Sequence, residues 1–348
     1  MQILCYNSRM NIREQLEQRE YEYLSEYATK SRDSMGRKKQ VKECDLRTCF
    51  QRDRDRILHS KAFRRLKHKT QVFLSPFDDH FRTRLTHTLE VSQIGRTIAR
   101  ALNLNEDLVE AISLGHDLGH TPFGHCGEGV LNELVDGGFH HNVQSVRVVE
   151  VLEDLNLCQE TVDGILTHTW GYKPKTLEGQ VVQLADKIAY INHDIQDSVR
   201  AGIISESDLP KDCIEYFSSN PSDRLGKMIN EIVKNSLGKD KVTMSDEGWN
   251  YTVKLREWMF DNVYIDSPAK LEETKARKVV RELFYLYTDM LKTRCEEKDI
   301  QRIVTDYISG MTDRYAVERF KAHFIPTGLK NSAGDEYLFR LAKMYECK

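Results

Sequence analysis

The sequence predicts an all-α protein, on three observations. Nearly every long segment of its 348 residues sets apolar side chains at helical spacing, alternating strand patterns are scarce, and capping residues stand ahead of the periodic stretches. An apolar content of 40% is ample for a buried core at this length.

The elements follow in chain order. Asn11 with Glu14 three positions later forms a capping box, which starts a helix running to about Ala28 and then the polar stretch SRDSMGRKK. A second helix is expected from about Asp53 to Lys69. It lies within a basic block, residues 37 to 69, that carries 13 Lys and Arg against 4 Asp and Glu. Phe63, Leu66, Val72 and Phe73 interleave this block, so it reads as a folded element that could meet a phosphate-bearing ligand as well as a solvated face.

In RLTHTLEVSQIGRTIARAL, the residues His87, Val91, Ile94, Ile98 and Ala101 fall on one stripe, so His87 leaves the buried face of an amphipathic helix. Asn105 caps the next helix, where Leu108, Ile112 and His116 recur every four residues. Pro122 and the glycines at 119, 124, 127 and 129 then break the regular pattern, which predicts a tight loop through HDLGHTPFGHCGE. A helix from about Gly179 to Ala201 is apolar almost all round, yet stacks Asp186, Tyr190 and Asp194 on one face. Breaks near residues 218 to 223 and 237 to 248 separate further helices, and another helical region follows Pro268. The expected organisation is an N-terminal helix and basic linker (1–50), a core (51–217) and a helical extension (218–348) packed on the same unit.

Eight cysteines include no CxxC pair, and Cys44 with Cys49 alone makes a poor zinc motif. The N-terminal MQILCYNSRM lacks the apolar core of a signal peptide, and no apolar run reaches about 18 residues. The expectation is a reduced cytoplasm with no membrane segment. A net charge of −3 gives the protein as a whole no attraction for polyanions.

Three interior helices thus offer His87, His116 with Asp117, and Asp186. Each histidine alone fits an ordinary hydrogen-bonded core residue. Together, with two carboxylates and no thiolate, they make a mixed N/O set suited to Mn²⁺, Fe²⁺, Mg²⁺ or Zn²⁺ and argue against a structural zinc. Asp186 needs such a partner, because an unpaired buried carboxylate costs several kcal/mol.

This H…HD…D pattern resembles that of the HD-superfamily phosphohydrolases. RTCFQRDRDRILHSKAFRRLKHKTQVF, RTRLTHTLEVSQIGR, HDLGHTPFGHCGE, GFHHNVQS, LADKIAYINHDIQD and GMTDRYA are similar, in order, to segments of the dGTPase-like deoxynucleoside triphosphate triphosphohydrolases. The resemblance implies an HD-domain helical core with additional N- and C-terminal helices. It also implies hydrolysis of a dNTP, dGTP first, to deoxynucleoside and triphosphate. The four ligands would hold a divalent ion, Mn²⁺ or Mg²⁺ before Fe²⁺, Zn²⁺, Ni²⁺ or Co²⁺. His125 and Glu128 match the family's catalytic His/Glu pair, with His120 and His141 approaching the phosphates. Gln71 and Asp194 match residues that bind the sugar 3′-hydroxyl, Tyr190 an aromatic packed on the deoxyribose, and Arg84 and Lys187 phosphate-binding positions. Arg52, Arg65 or Lys67 would face the active site or a second nucleotide at a subunit boundary, since homo-oligomers and regulatory nucleotides occur in the family. Two other readings stay open. One is an HD phosphohydrolase acting on a monophosphate or cyclic nucleotide, and the other is a non-catalytic binder of nucleotides or single-stranded nucleic acid.

Overall fold

Apolar stripes on α4 (Arg84–Ala101) and α5 (Glu106–Gly115) close against α9 (Leu177–Arg200), and this triad is the centre of the molecule. Val91, Ile94, Ile98, Leu108, Ile112, Val181, Ala185 and Ile188 are fully or almost fully buried between them. The computed structural model describes residues 10–72, 81–264, 269–292, 294, 296–326, 337, 340, 341, 343 and 344. Phe73 and Pro268 lie outside these. The protein is all-α: among the described residues, β pairing is confined to isolated bridges between Arg37 and Cys158 and between Thr70 and Thr83.

Around the triad stand α1 (Ile12–Tyr23), α2 (Cys49–Leu58), α3 (Lys61–Arg65), α6 (Gly124–Leu134), α7 (His141–Arg147) and α8 (Gln159–Thr167). Beyond α9 come α10 (Lys211–Phe217), α11 (Pro221–Ser236), α12 (Asp246–Met259), α13 (Ala269–Leu291), α14 (Glu297–Ser309) and α15 (Asp313–Phe324). Helices α10 to α12 extend the central core through Phe217, Met228, Ile232 and Leu255. A second core joins Val130 and Leu131 of α6 to Val280, Leu283, Tyr287, Ile303 and Tyr307 of α13 and α14. No helix among the described residues is long and apolar enough to cross a membrane.

Three boundaries differ from expectation, each because of a distant partner. Helix α1 begins at its Asn11–Glu14 capping box but stops at Tyr23 rather than Ala28. Leu24 turns extended and buried there, and the Ser25 N–H donates to the carbonyl of Asn103 at 2.8 Å. The helix expected over 53–69 is split into α2, α3 and a 3₁₀ turn at Leu66–His68. Ser60 caps α3 by accepting from the Phe63 N–H, while the Glu153 carboxylate accepts from the N–H groups of Lys61 (2.8 Å) and Ala62 (2.7 Å). Those orphan donors of a new helix start find their acceptors at residue 153, far along the chain.

The third difference concerns HDLGHTPFGHCGE. Its loop ends at Phe123, and the glycines at 124, 127 and 129 lie inside α6. Phe123 (φ +62) and Gly124 (φ +56) enter the helix through left-handed backbone. Asp313 stabilises this entry: its carboxylate accepts from the N–H of Phe123 at 2.8 Å and from that of Thr70 at 2.9 Å.

Gly119 marks the closest backbone approach in this loop. A Cβ there would stand 2.2 Å from the Ser145 nitrogen and 2.5 Å from the His141 carbonyl oxygen of α7. Both obstacles are backbone, so neither can swing aside. Gly119→Ala is expected to cost about 3 kcal/mol or more, at the upper end of overpacking effects, and to lower Tm. Gly226→Ala, in α11 with nothing within 4 Å of the added carbon, should instead raise it. Thermal denaturation of the two variants checks the contrast; equal Tm values would contradict the packing account.

Candidate functional site

The amphipathic stripe of α4 points His87 inward, the C-terminal end of α5 delivers His116 and Asp117, and the inner face of α9 delivers Asp186. His87 Nε2 lies 3.0 Å from Asp186 Oδ1. His116 Nε2 lies 3.3 Å from Asp117 Oδ1 and 3.8 Å from Asp186 Oδ1. His87, His116 and Asp117 are buried, and Asp186 keeps 18% of its side chain open. The structure therefore brings all four sequence-predicted ligands together.

Whether they suit a cation is decided by one atom. His116 Nδ1 donates to the Ser113 carbonyl at 2.6 Å, so its Nε2 carries the lone pair, yet that buried Nε2 accepts no hydrogen bond. A buried acceptor without a donor is costly, and two carboxylate oxygens converge beside it. A divalent ion would satisfy that nitrogen, and His87, His116 and Asp117 present ligand atoms within 4.8 Å of one another with Asp186 Oδ1 beside two of them, so the donor set fits one.

The carboxylates are held ionised. Burial pushes the Asp117 carboxyl up, but His116, His120 and the Arg84 guanidinium outweigh it and hold it well below the usual range. Asp186 is likewise pulled below its ordinary value, burial being overcome by the His87 hydrogen bond and by His116. Arg84 is itself buried, with Nη1 donating to Asp117 Oδ2 at 2.8 Å. Oδ1 stays turned toward the imidazoles, and Arg84 Nε and Nη2 remain without partners.

Next to this centre sits a second cluster of titratable side chains. His125 and Glu128 are placed one turn apart by the start of α6, not by a loop, with His125 Nδ1 3.0 Å from Glu128 Oε2. Glu128 Oε1 also accepts from the backbone N–H of His141 at 2.9 Å and contacts His141 Nδ1 at 2.9 Å. Burial raises the Glu128 carboxyl, but His125 and His141 overwhelm that and drive it far below the ordinary value. His141 stacks on His120, centroids 3.9 Å apart, and His120 Nε2 lies 3.3 Å from Asp117 Oδ1. Burial, then the charges of Arg84 and His141, hold His120 well below a normal imidazole, which keeps it neutral at pH 7.

Two further histidines belong to the site and were not singled out from the sequence. His168, at the end of α8, donates from Nδ1 to the Ile165 carbonyl at 2.8 Å and presents Nε2 to His141 Nε2 at 3.2 Å. Glu128 and His168 Nε2 thus each offer an acceptor to His141, one at either ring nitrogen. His193, on α9 seven residues beyond Asp186, sets Nδ1 3.4 Å from His87 Nδ1 and so orients the ligand's ring. Their signals were faint: His193 recurs on the ligand face of α9, whereas His168 ends a helix whose period marks nothing polar.

The other expected residues divide. Tyr190 and Asp194 continue the Asp186 face of α9, Tyr190 half-buried and Asp194 buried. Lys187 is buried against the indole of Trp170, and burial pushes its ammonium down to about 8. Gln71 is half-buried with its Oε1 lacking a partner, beside the α6 entry. Arg52 is not brought to the centre. Helix α2 buries Phe50, Asp53 and Ile57, so Arg52 faces outward, donates to the Lys42 carbonyl at 2.9 Å and lines a surface cleft with Arg47, Arg56 and His59. Arg65 pairs with Glu153 at 3.4 Å and Lys67 is exposed.

Comparison with known proteins agrees with this geometry. The HD domain family matches residues 84–191, which carry every one of the four ligands, and the phosphohydrolase-associated domain family matches residues 242–322. A deoxyguanosinetriphosphate triphosphohydrolase-like protein of Caldanaerobacter subterraneus subsp. tengcongensis is 57% identical over 329 residues, covering 91% of this chain and 97% of that one. A protein of the same description from Clostridium perfringens (strain 13 / Type A) is 48% identical over 338 residues, covering 91% and 98%. Among solved structures, a phosphohydrolase from Bacteroides thetaiotaomicron shares the fold at 16% identity and a TM-score of 0.50, over 88% of this chain and 74% of that one.

Proposed function

Because this chain belongs to the deoxyguanosinetriphosphate triphosphohydrolase-like family of metal-dependent HD-domain phosphohydrolases, we propose that it hydrolyses deoxynucleoside triphosphates, dGTP foremost, to deoxynucleoside and triphosphate. The observation that carries the reading is the lone buried Nε2 of His116, set among three other ligands and joined through Asp117 and His120 to the His125–Glu128–His141 group.

His87, His116, Asp117 and Asp186 would hold the ion, Mn²⁺ or Mg²⁺. A cation held there supplies Lewis acidity toward the phosphoryl oxygen and acidifies water. The remaining work falls to the chain. Glu128 fixes the tautomers of His125 and His141, and His141 would stand beside the phosphoryl oxygens where charge grows. His125 is 76% exposed in its side chain and can exchange a proton with water or with the departing 5′-oxygen. Arg84 offers its unpartnered N–H groups to the same phosphate. Gln71 and Asp194 would hold the sugar 3′-hydroxyl, and Tyr190 would close the space beside C2′. A homo-oligomer and a regulatory nucleotide are part of the same proposal, to be checked by light scattering with and without dNTP.

A panel of dNTPs and NTPs with Mn²⁺ or Mg²⁺, products separated by chromatography, tests the substrate and the bond cleaved together. Nucleoside with triphosphate is expected; pyrophosphate with a monophosphate would refute the proposed bond. Tyr190→Ala should bring GTP turnover toward that of dGTP, by about tenfold, the scale of a lost steric contact. Unchanged discrimination would remove Tyr190 from that role.

A further inference from the structure

We propose that Arg256, seated on the indole of Trp170 beside Lys187, is a substrate-binding residue that grips the outer phosphates of the triphosphate. The inference rests on the dNTP reading above and adds a residue from α12, outside the HD-matched segment.

Helix α9 places Lys187 one residue after the ligand Asp186 and one turn before Tyr190. Its Nζ lies 4.2 Å from the centroid of Trp170 and 5.5 Å from that of Trp249. The two indoles pack on each other at 5.3 Å. Arg256 Cζ lies 4.9 Å from the same Trp170 ring. Thus two cations share one aromatic plate at the edge of the metal site, and the charge of Arg256 acts on both Lys187 and Tyr190.

Like charges gathered this way repel, and neither is directly paired: among the described residues, the side chains of Lys187 and Arg256 form no hydrogen bond or ion pair, although the charge of Asp186 acts on Lys187 through space. Their neighbour Lys254, on the same helix, does find an acid, Asp212 at 2.5 Å. Stacking fixes the plane of a guanidinium without using its N–H groups, which leaves its fork for an oxyanion. A bound triphosphate brings about four negative charges and neutralises both cations. Access is open, since Arg256 is exposed and Trp170 is 38% exposed. The associated segment would then contribute directly to choosing a triphosphate over shorter phosphates.

The test is calorimetric binding of inorganic tripolyphosphate to the full-length protein with Mn²⁺, using wild type, Arg256→Ala, Arg256→Lys and, as control, Lys254→Ala. Arg256→Ala should bind about tenfold to a hundredfold more weakly, the loss of a charge-assisted contact. Arg256→Lys should recover part of the affinity, and Lys254→Ala should match wild type. In parallel, inhibition by deoxyguanosine should not change in Arg256→Ala. Wild-type tripolyphosphate affinity in Arg256→Ala would overturn the proposal; so would an equal loss of deoxyguanosine binding, which would mean that Trp170 and Arg256 hold the nucleoside instead. Failure of the underlying activity shows separately, as the absence of triphosphate release from any dNTP by the wild type.

Discussion

Asp186→Ala is expected to lose stoichiometric divalent metal and to lower turnover by about 10³-fold or more, with its helical content intact. Asp186 Oδ1 faces both His87 Nε2 and His116 Nε2, so its removal leaves two imidazole lone pairs with one fewer anion to share a cation. A metal acting as Lewis acid is worth several kcal/mol of transition-state stabilisation, and each 1.36 kcal/mol or so is tenfold in rate. The side chain is small and partly open, so truncation leaves little cavity. Metal content by elemental analysis, kcat at saturating Mn²⁺ and far-ultraviolet circular dichroism measure the three parts. An Asp186→Ala protein that turns over normally with no metal would remove the centre from the reaction.

Glu128→Gln should behave differently. The amide can offer only one accepting oxygen where the carboxylate now takes the His125 and His141 rings and a backbone N–H. Both imidazoles lose the anion that orients them. Lost acid–base help is worth about 10²- to 10⁴-fold, and kcat should fall within that range. Metal content should equal that of the wild type, because no Glu128 oxygen belongs to the His87–His116–Asp117–Asp186 set. Metal loss in Glu128→Gln would show instead that the two groups are one.

Much of the centre was legible because burial follows helical period. His87 and His116 sit on apolar stripes, and Asp186 is a carboxylate in a helix with few polar positions, so convergence could be inferred before any contact was seen. What escaped depends on tertiary partners that leave no local trace. The split between α2 and α3 needs Glu153, the end of α1 needs Asn103, and the resumption of helix at Gly124 needs Asp313. Glycines that ordinarily signal a loop are tolerated in α6 because Val130 and Leu131 are buried against α13 and α14. His168 escaped because its value lies in what it accepts from another ring, not in its place on a stripe.

Asp313 has a bearing on how the protein can fail. It grips the chain at Thr70 and at Phe123, while Lys69 reaches the carbonyls of His120 and Ser309 from the same side. Damage to the α14–α15 junction would therefore be felt first in the backbone that leads into His120 and His125, and only through the start of α4 at the four-residue cluster. A protein nicked or truncated there is expected to lose the proposed activity before it loses its metal.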